Sequence, residues 1–489
     1  MIDTVRSLVG LEPRSYLLGV PRREETEGLL LLGDPGTGKS QIIHQLLCQI
    51  DRREPGEAVV CYDPACEFVE AHFDPKTDLI LNPLDARSPY WAPTLEVDYS
   101  SAATSATDRQ MLAESFFPDR EHAQAHGHFF TKAARSIFAR MLEFKPTAGQ
   151  IVEWLCGDEV IDQLVEGTEY AHLIDKGSKG QRGGVLGTLS EVGEAMRLLP
   201  AREECAGALS LTRWAQSRRG WLFITSTQDT RDALRALHAP WVNVLLKRLM
   251  SVPREFGQEH PCWVIVDEVH SLRRLPALQT TLVEGRKYGV KMVLGTQNKA
   301  QFEEHNGRGA ATMLSAPHTK ILFRCNEPES ARWVADMIGE EEKERPRVGT
   351  TATVDANGRD SINYSTFTER RAVVSKEEVM ALPNLHGYWK YADSVVPFRI
   401  EPQNLRRVAD GFVRRAGQPA EQSIQPPRPP RELAAPTPPQ PMPAAPPRAK
   451  QPSPVLASSS GQAAGREVKE AERVRSVTVE VQDEIDLSF

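Results

Sequence analysis

Short apolar runs bounded by turn residues recur along this chain, and each predicts a buried strand. They lie at Gly28 to Leu32, Glu57 to Tyr62, Leu79 to Leu81, Trp221 to Thr225, Cys262 to Val266, Val290 to Leu294 and Lys320 to Phe323. Between them come stretches with helical spacing, among them Gln41 to Ile50, Thr230 to Met250 and Leu275 to Lys287. Alternating strand and helix predicts an α/β fold with a mostly parallel sheet covered on both faces. From about residue 100 to 200 the strand pattern stops. There Arg109 to Phe117, His128 to Phe144, Ile151 to Leu155 and Leu186 to Leu199 carry helical periodicity, which predicts an inserted all-α domain. Beyond residue 410 the pattern stops again: prolines dominate from Pro419 to Pro454, the composition of an extended, disordered linker. The expected organisation is 1–99 and 206–410 as two parts of one nucleotide-binding domain, 100–205 as the helical insertion, 411–465 as linker and 466–489 as an acidic tail.

Composition changes this picture little. At 489 residues the chain is long enough for about three domains. Lys plus Arg number 59 against 66 Asp plus Glu, so no global basic charge announces nucleic acid, and DNA contact has to come from local patches. The 7 cysteines form no CxxC pair; Cys61 and Cys66 stand close, which suits a reducing compartment better than a disulfide or zinc framework. No window is apolar enough to span a membrane, and Asp3, Arg6, Glu12 and Arg14 interrupt the start, so the expectation is a cytoplasmic chain without a signal peptide or membrane span of its own.

The chemistry gathers at GDPGTGKS, where the first strand turns into the first helix. Gly33, Gly36 and Gly38 let the backbone of Gly33, Asp34, Pro35, Gly36, Thr37, Gly38, Lys39 and Ser40 curl so that its N–H groups face one polyphosphate. Lys39 is placed to reach the β and γ phosphates, and Ser40 to put its hydroxyl on Mg²⁺. Such a loop needs a buried strand that delivers carboxylates, and WVIVDEVH supplies one. Asp267 is the candidate for the Mg²⁺ shell and Glu268 the candidate base for the attacking water. The following strand ends on Gln297, whose amide can touch the γ phosphate or the water; its alternative is a polar strand end. Arg286 precedes that strand, and its planar cation suits transition-state stabilisation across a subunit interface, with an exposed helix-end cation as the alternative and Arg324 as a second candidate.

Weaker signals are read conservatively. Asp63 ends a strand where parallel sheets place ligand-facing groups. His122, His126 and His128 are close in sequence, but nothing pairs with them as a ligand set, and helix-start residues are the expectation. GSKGQRGG, from Gly177 to Gly184, lacks phosphate-loop spacing and a preceding strand, which predicts a flexible interhelical loop. NPLDARSPYWAP is expected to be an ordered surface loop.

Taken in order, GLLLLGDPGTGKSQ, VVCYDPACEF, LILNPLDARSPYWAP, the AESFFPD and FFTKAARSIFARML helical stretch, WVIVDEVHSL, EGRKYGVKMVLGTQN and ALPNLHGYWKY resemble the TraD/TrwB-type coupling ATPases of conjugative type IV secretion. The resemblance runs over about residues 15 to 402. It implies a RecA-like P-loop NTPase domain with an inserted all-α domain, ATP and Mg²⁺ as cofactors, and a homo-hexameric ring that pumps single-stranded DNA with its relaxase into the secretion channel. The family's roles fall on Lys39, Ser40, Asp267, Glu268, Arg286 and Gln297. Two departures stand out: Ala65 and Cys66 replace the Lys-Gly pair usual after Asp-Pro, and no transmembrane helices open the chain, so the resemblance implies recruitment to the inner face of the membrane by a partner.

Two alternatives remain open in the sequence. A DNA-pumping ATPase of the HerA/FtsK kind, acting in repair or segregation, shares the nucleotide chemistry, though the helical insertion argues against it. A low-turnover, nucleotide-switched adaptor is the other. The string Asn298-Lys299-Ala300-Gln301 lacks the Asp of a guanine reader, which favours ATP. Finally, Asp483, Glu484 and Asp486 surround Ile485, Leu487 and Phe489, the pattern of either a solvated tail or a docking peptide, and the resemblance implies docking on relaxosome components.

Overall fold

The computed structural model describes residues 19–53, 56–119, 125–251, 260–272, 274–351 and 361–415. The linker and tail expected from composition after position 415 lie outside the described residues, as does His122.

Among the described residues eleven strands form, in chain order: β1 Leu29–Leu32, β2 Ala58–Asp63, β3 Leu79–Leu81, β4 Trp221–Thr225, β5 Cys262–Val266, β6 Val290–Thr296, β7 Thr319–Phe323, β8 Glu340–Thr351, β9 Ser361–Ala372, β10 His386–Tyr391 and β11 Ser394–Arg399. Nine of them make one sheet in the order β11-β10-β7-β1-β6-β5-β2-β4-β3. All pairings from β7 to β3 are parallel, while β10 runs antiparallel to both β7 and β11. The sheet is therefore mixed at one edge. That edge escapes the apolar-run criterion because its strands are only half-buried, with Lys390 and Arg399 among them. Strands β8 and β9 pair with each other as a separate antiparallel ribbon.

Fourteen helices accompany the strands: α1 Lys39–Asp51, α2 Glu67–His72, α3 Ala102–Phe116, α4 Ala125–Met141, α5 Ala148–Cys156, α6 Asp158–Val165, α7 Lys179–Met196, α8 Leu211–Ser217, α9 Arg231–Leu249, α10 Leu278–Glu284, α11 Lys299–Asn306, α12 Ala310–Ser315, α13 Pro328–Ile338 and α14 Lys376–Ala381. Alternate residues of the parallel strands point to opposite faces. Leu31, Val59, Cys61, Phe223 and Ile265 meet Ile43 and Leu47 of α1 and Phe68 and Val69 of α2. Leu30, Val60, Tyr62 and Ile224 face the other way, into a core that continues through Trp241 and Leu245 of α9 to Leu112, Phe138 and Leu189 of α3, α4 and α7. The helical layer thus shares its apolar core with one face of the sheet, each buried Leu or Ile adding about 1.5–3 kcal/mol.

Four local expectations are corrected. Residues 179–184 of the glycine-rich stretch are the first turns of α7, not a loop. Gly184 explains this: a Cβ there would stand 2.6 Å from the Phe130 ring, so bare backbone lets α4 and α7 pack closely. The segment from Asn82 to Trp91 is ordered but buried, with Asn82, Asp85, Ser88 and Trp91 all 2% exposed or less. Residues 411–415 are packed rather than linker-like. Arg415, 5% exposed, donates to the carbonyls of Pro83, Asp85, Ser88 and Glu204. The helical pattern from Leu275 to Lys287 divides into α10 and a 3₁₀ turn, Gly285–Tyr288.

At the amino ends of the strands, Lys291 on β6 binds Glu25 at 2.7 Å and Glu57 at 2.8 Å, and Arg53 binds Glu25 at 2.7 Å and Glu57 at 3.1 Å. Trp263 donates its indole N–H to Glu57 at 2.6 Å. Burial pushes the Glu57 carboxyl up, but Lys291, Trp263 and Arg53 outweigh it and hold the group below its ordinary range.

Candidate nucleotide site

The phosphate loop leaves the carboxyl end of β1 between β6 and β7, and both neighbours hold it. Gly33 N–H donates to the Thr296 carbonyl at 3.3 Å, and Asp34 N–H to the Arg324 carbonyl at 2.9 Å. The loop is closed from within by the buried Thr37, whose hydroxyl donates to the Asp34 carbonyl at 2.7 Å. Asp34 Oδ2 accepts the Asn326 N–H at 2.8 Å. Gly33 has no room for a side chain, since a Cβ would meet that of Phe323 at 2.5 Å. Gly38, at φ +124°, takes a conformation that favours glycine and sits under Ile400 and Leu385.

Lys39 folds back into this loop. Its Nζ donates to the Gly33 carbonyl at 2.6 Å and the Asp34 carbonyl at 3.1 Å. Burial pulls its pKa down, against the pull of Asp267, Glu268 and Asp34. Ser40 follows in the first turn of α1 and shares a hydrogen bond with Glu67, which His44 also holds at 3.3 Å.

Strand β5 delivers Asp267 and Glu268 to the same end of the sheet, one strand away from β1 across β6. Asp267 is part-exposed as a residue, yet its Oδ1 is buried and has no hydrogen-bond partner. Burial drives its carboxyl up to about 7, although Lys39 pulls it down. A buried, unpartnered carboxylate oxygen, with the Ser40 hydroxyl at the same end of the sheet, is the kind of hard oxygen donor a divalent cation takes, so the residues fit Mg²⁺. Glu268 is fully engaged: Gln297 donates to Oε1 at 2.5 Å, and Arg231 to Oε2 at 2.8 Å.

Geometry therefore brings Lys39, Ser40, Asp267, Glu268 and Gln297 to one end of the sheet. Arg286 is elsewhere within the chain, at the amino end of β6, where it is exposed and paired with Glu27. Arg324 is beside the loop, but its guanidinium donates to the Leu382 carbonyl at 3.2 Å. Asp63 is not ligand-facing; its carboxylate accepts the N–H groups of Glu67, Phe68 and Val69 and caps α2. His126 and His128 fall in the first turn of α4. Sequence reading missed Arg231, the first residue of α9. Its position just past the carboxyl end of β4 is the one signal that could have singled it out. It also missed the strap over the loop, in which Gln403 N–H donates to Gln41 at 3.0 Å and the Glu401 carbonyl accepts from Gln45 at 3.3 Å.

A parallel sheet whose first strand opens into GDPGTGKS, with Asp-Glu on the next strand but one, defines the RecA-like P-loop NTPase fold. The model of the type IV secretion-system coupling protein DNA-binding domain matches residues 17–401, and the chain belongs to that family. Coupling protein TraD of Escherichia coli (strain K12) is 27% identical over 414 residues, which are 81% of this chain and 56% of that protein. The chain thus spans little more than half the length of that relative. Among solved structures, the unbound monoclinic form of the bacterial conjugative coupling protein TrwBdeltaN70 superposes with a TM-score of 0.69 at 25% identity, covering 80% of this chain and 89% of that one. The plasmid coupling protein TrwB in complex with ADP and Mg²⁺ has the same fold, with a TM-score of 0.68 at 24% identity over 82% of this chain and 92% of that one.

Proposed function

We propose that this chain is an ATP-driven DNA translocase, the coupling protein that delivers relaxase-bound single-stranded DNA to a type IV secretion channel as a homo-hexamer. The supporting observation is the carboxyl end of the sheet, where Lys39 spends its charge on the carbonyls of its own loop beside the unpartnered Asp267 Oδ1. Those are groups with a task still to perform. The family match and the ADP and Mg²⁺ held by TrwB support the same nucleotide chemistry.

In this mechanism Lys39 exchanges the Gly33 and Asp34 carbonyls for the β and γ phosphates. Ser40 and Asp267 would hold Mg²⁺, which when bound would supply positive charge against the phosphate oxygens. Glu268 takes the proton of the attacking water, and Gln297, already hydrogen-bonded to it, orients both. Arg286, on the chain's surface, serves the site of a neighbouring copy. Among the described residues no helix is long and apolar enough to cross a membrane. Recruitment to the membrane is assigned to a partner, and the acidic segment from Gln482 to Phe489 to docking on a relaxosome component. The two-part nucleotide-binding domain around a helical insertion belongs to the same proposal.

ATP hydrolysis with and without single-stranded DNA tests it. Wild type is expected to be stimulated by DNA. Lys39→Ala loses binding and turnover together, whereas Glu268→Gln loses about 10²–10⁴-fold in turnover while retaining bound ATP. Normal turnover by Glu268→Gln removes that residue from the mechanism.

A further inference from the structure

Both oxygens of Glu268 are held. Arg231 donates to Oε2 and Gln297 to Oε1, and Arg231 is itself fixed by a second bond, from its other terminal nitrogen to the Pro64 carbonyl at 3.2 Å. A carboxylate acting as a base needs a lone pair aimed at water, and these bonds fix which way the remaining lone pairs of Glu268 face. As seen here, Glu268 is parked.

The helix that carries Arg231 is fastened at its other end to the helical layer. Asn243 donates to the Ser115 hydroxyl at 2.8 Å and accepts the Ala277 N–H at 2.9 Å. Lys247 pairs with Glu114 at 2.9 Å, and Arg248 pairs with Asp108 at 2.6 Å and with the Glu96 carbonyl at 3.0 Å. Trp241 stacks edge-on against Trp91, ring centroids 5.4 Å apart. Ser115, Glu114 and Asp108 all belong to α3, so α3 and the far half of α9 move as one body. At 19 residues, α9 is about 28 Å long, and Pro240 inside it, which lacks an N–H for the helical ladder, marks the point between Arg231 and the anchored half where it can bend. A small shift of α3 is carried along it to Arg231, and hydrogen bonds tolerate displacements of only a few tenths of an ångström.

We propose that Arg231 is a positioning residue that ties Glu268 to the helical layer, so that DNA engaging α3 and its neighbours withdraws the guanidinium and frees the carboxylate for water. This rests on the DNA-stimulated ATPase reading above. The device gives hydrolysis a reason to wait for DNA, and it needs no contact between DNA and the nucleotide. Two positions of one ion pair, Glu268 on Arg231 or Glu268 on water, are the two states being biased.

The test is steady-state ATP hydrolysis by full-length wild type, Arg231→Gln and Arg231→Lys, with and without a single-stranded oligonucleotide. Losing a hydrogen bond to a charged group is worth about tenfold. Arg231→Gln is therefore expected to raise the DNA-free kcat about tenfold with KM unchanged, and to pull the ratio of DNA-stimulated to DNA-free rate toward one. Arg231→Lys, which keeps one charge on Glu268, should fall between. A melting curve reports folding, and if Arg231→Gln melts early the ratio is read from Arg231→Lys. An unchanged ratio in the folded variant, including an equal loss of both rates, overturns the coupling. A wild type without DNA stimulation overturns the motor reading itself and the coupling with it.

Discussion

At the amino ends of the parallel strands, all four carboxylate oxygens of Glu25 and Glu57 accept hydrogen bonds from Arg53 or Lys291. At the carboxyl ends, Asp267 Oδ1 accepts none and Lys39 turns to backbone carbonyls. Both clusters are charged and withdrawn from water on the same sheet, only the length of a strand apart. Burial raises the carboxyl of Asp267 to about 7, whereas the partners of Glu57 overcome burial and hold its pKa down. The difference separates a cluster completed within the chain from one that lacks a component. Completed charge contributes to the fold, and incomplete charge marks where a ligand supplies the remainder.

Removing one member of the completed cluster should have the largest effect on stability. Lys291→Ala leaves two buried carboxylates facing Arg53 and the more distant, exposed Arg22, and a cost of about 3–5 kcal/mol is expected in denaturant unfolding. The same cluster sets an acid limit. Because the Glu57 carboxyl is held below its ordinary value of 4.5, its contribution is present above that pH and lost as pH falls through the depressed value. Wild type should therefore lose stability more steeply than Lys291→Ala below pH 4.5; parallel acid curves would refute the assignment.

The incomplete cluster should respond in the opposite direction. Asp267→Asn removes a buried charge without a partner, and one pKa unit is worth about 1.4 kcal/mol, less what solvent screens. Nucleotide-free protein should gain about 1 kcal/mol or more in the same unfolding experiment, while Mg²⁺-dependent ATP binding disappears. A destabilised variant would show that Asp267 is structural after all.

The smallest change belongs to Arg286, which also lies at the amino end of the strands but is 65% exposed. Arg286→Ala should alter stability by no more than about 1 kcal/mol, the usual limit of a surface pair. A finger acting in trans would still cost hydrolysis. Mixing Arg286→Ala with Lys39→Ala subunits should then restore activity where an intact site meets an intact finger. If mixed rings form and nothing is regained, Arg324 becomes the first replacement.

How much of this was legible in the sequence depended on whether its cause was local. Gly33 to Ser40 and Asp267 with Glu268 were readable because short-range rules link an apolar run to the ligand groups at its end. Arg231 was not, since its partner is 37 positions away and meets it only through the order of β2, β4 and β5 in the sheet. The first turns of α7 were misread for a related reason: glycine lowers helix propensity locally, and only contact with Phe130 turns that into an advantage. Strands β10 and β11 lacked a continuous apolar run because one of their faces remains open to solvent.

Arg415 gives the chain a mechanical property. Its guanidinium is clamped to four main-chain carbonyls in two separate stretches, at residues 83, 85 and 88 and at residue 204, and Val413 N–H adds a bond to Asp85. Tension applied from beyond this point would be borne there, in shear, by several bonds at once. It would reach the strap over the phosphate loop only after that clamp had failed. Position 415 would thus act as a strain relief, letting chain downstream be pulled without disturbing the phosphate loop.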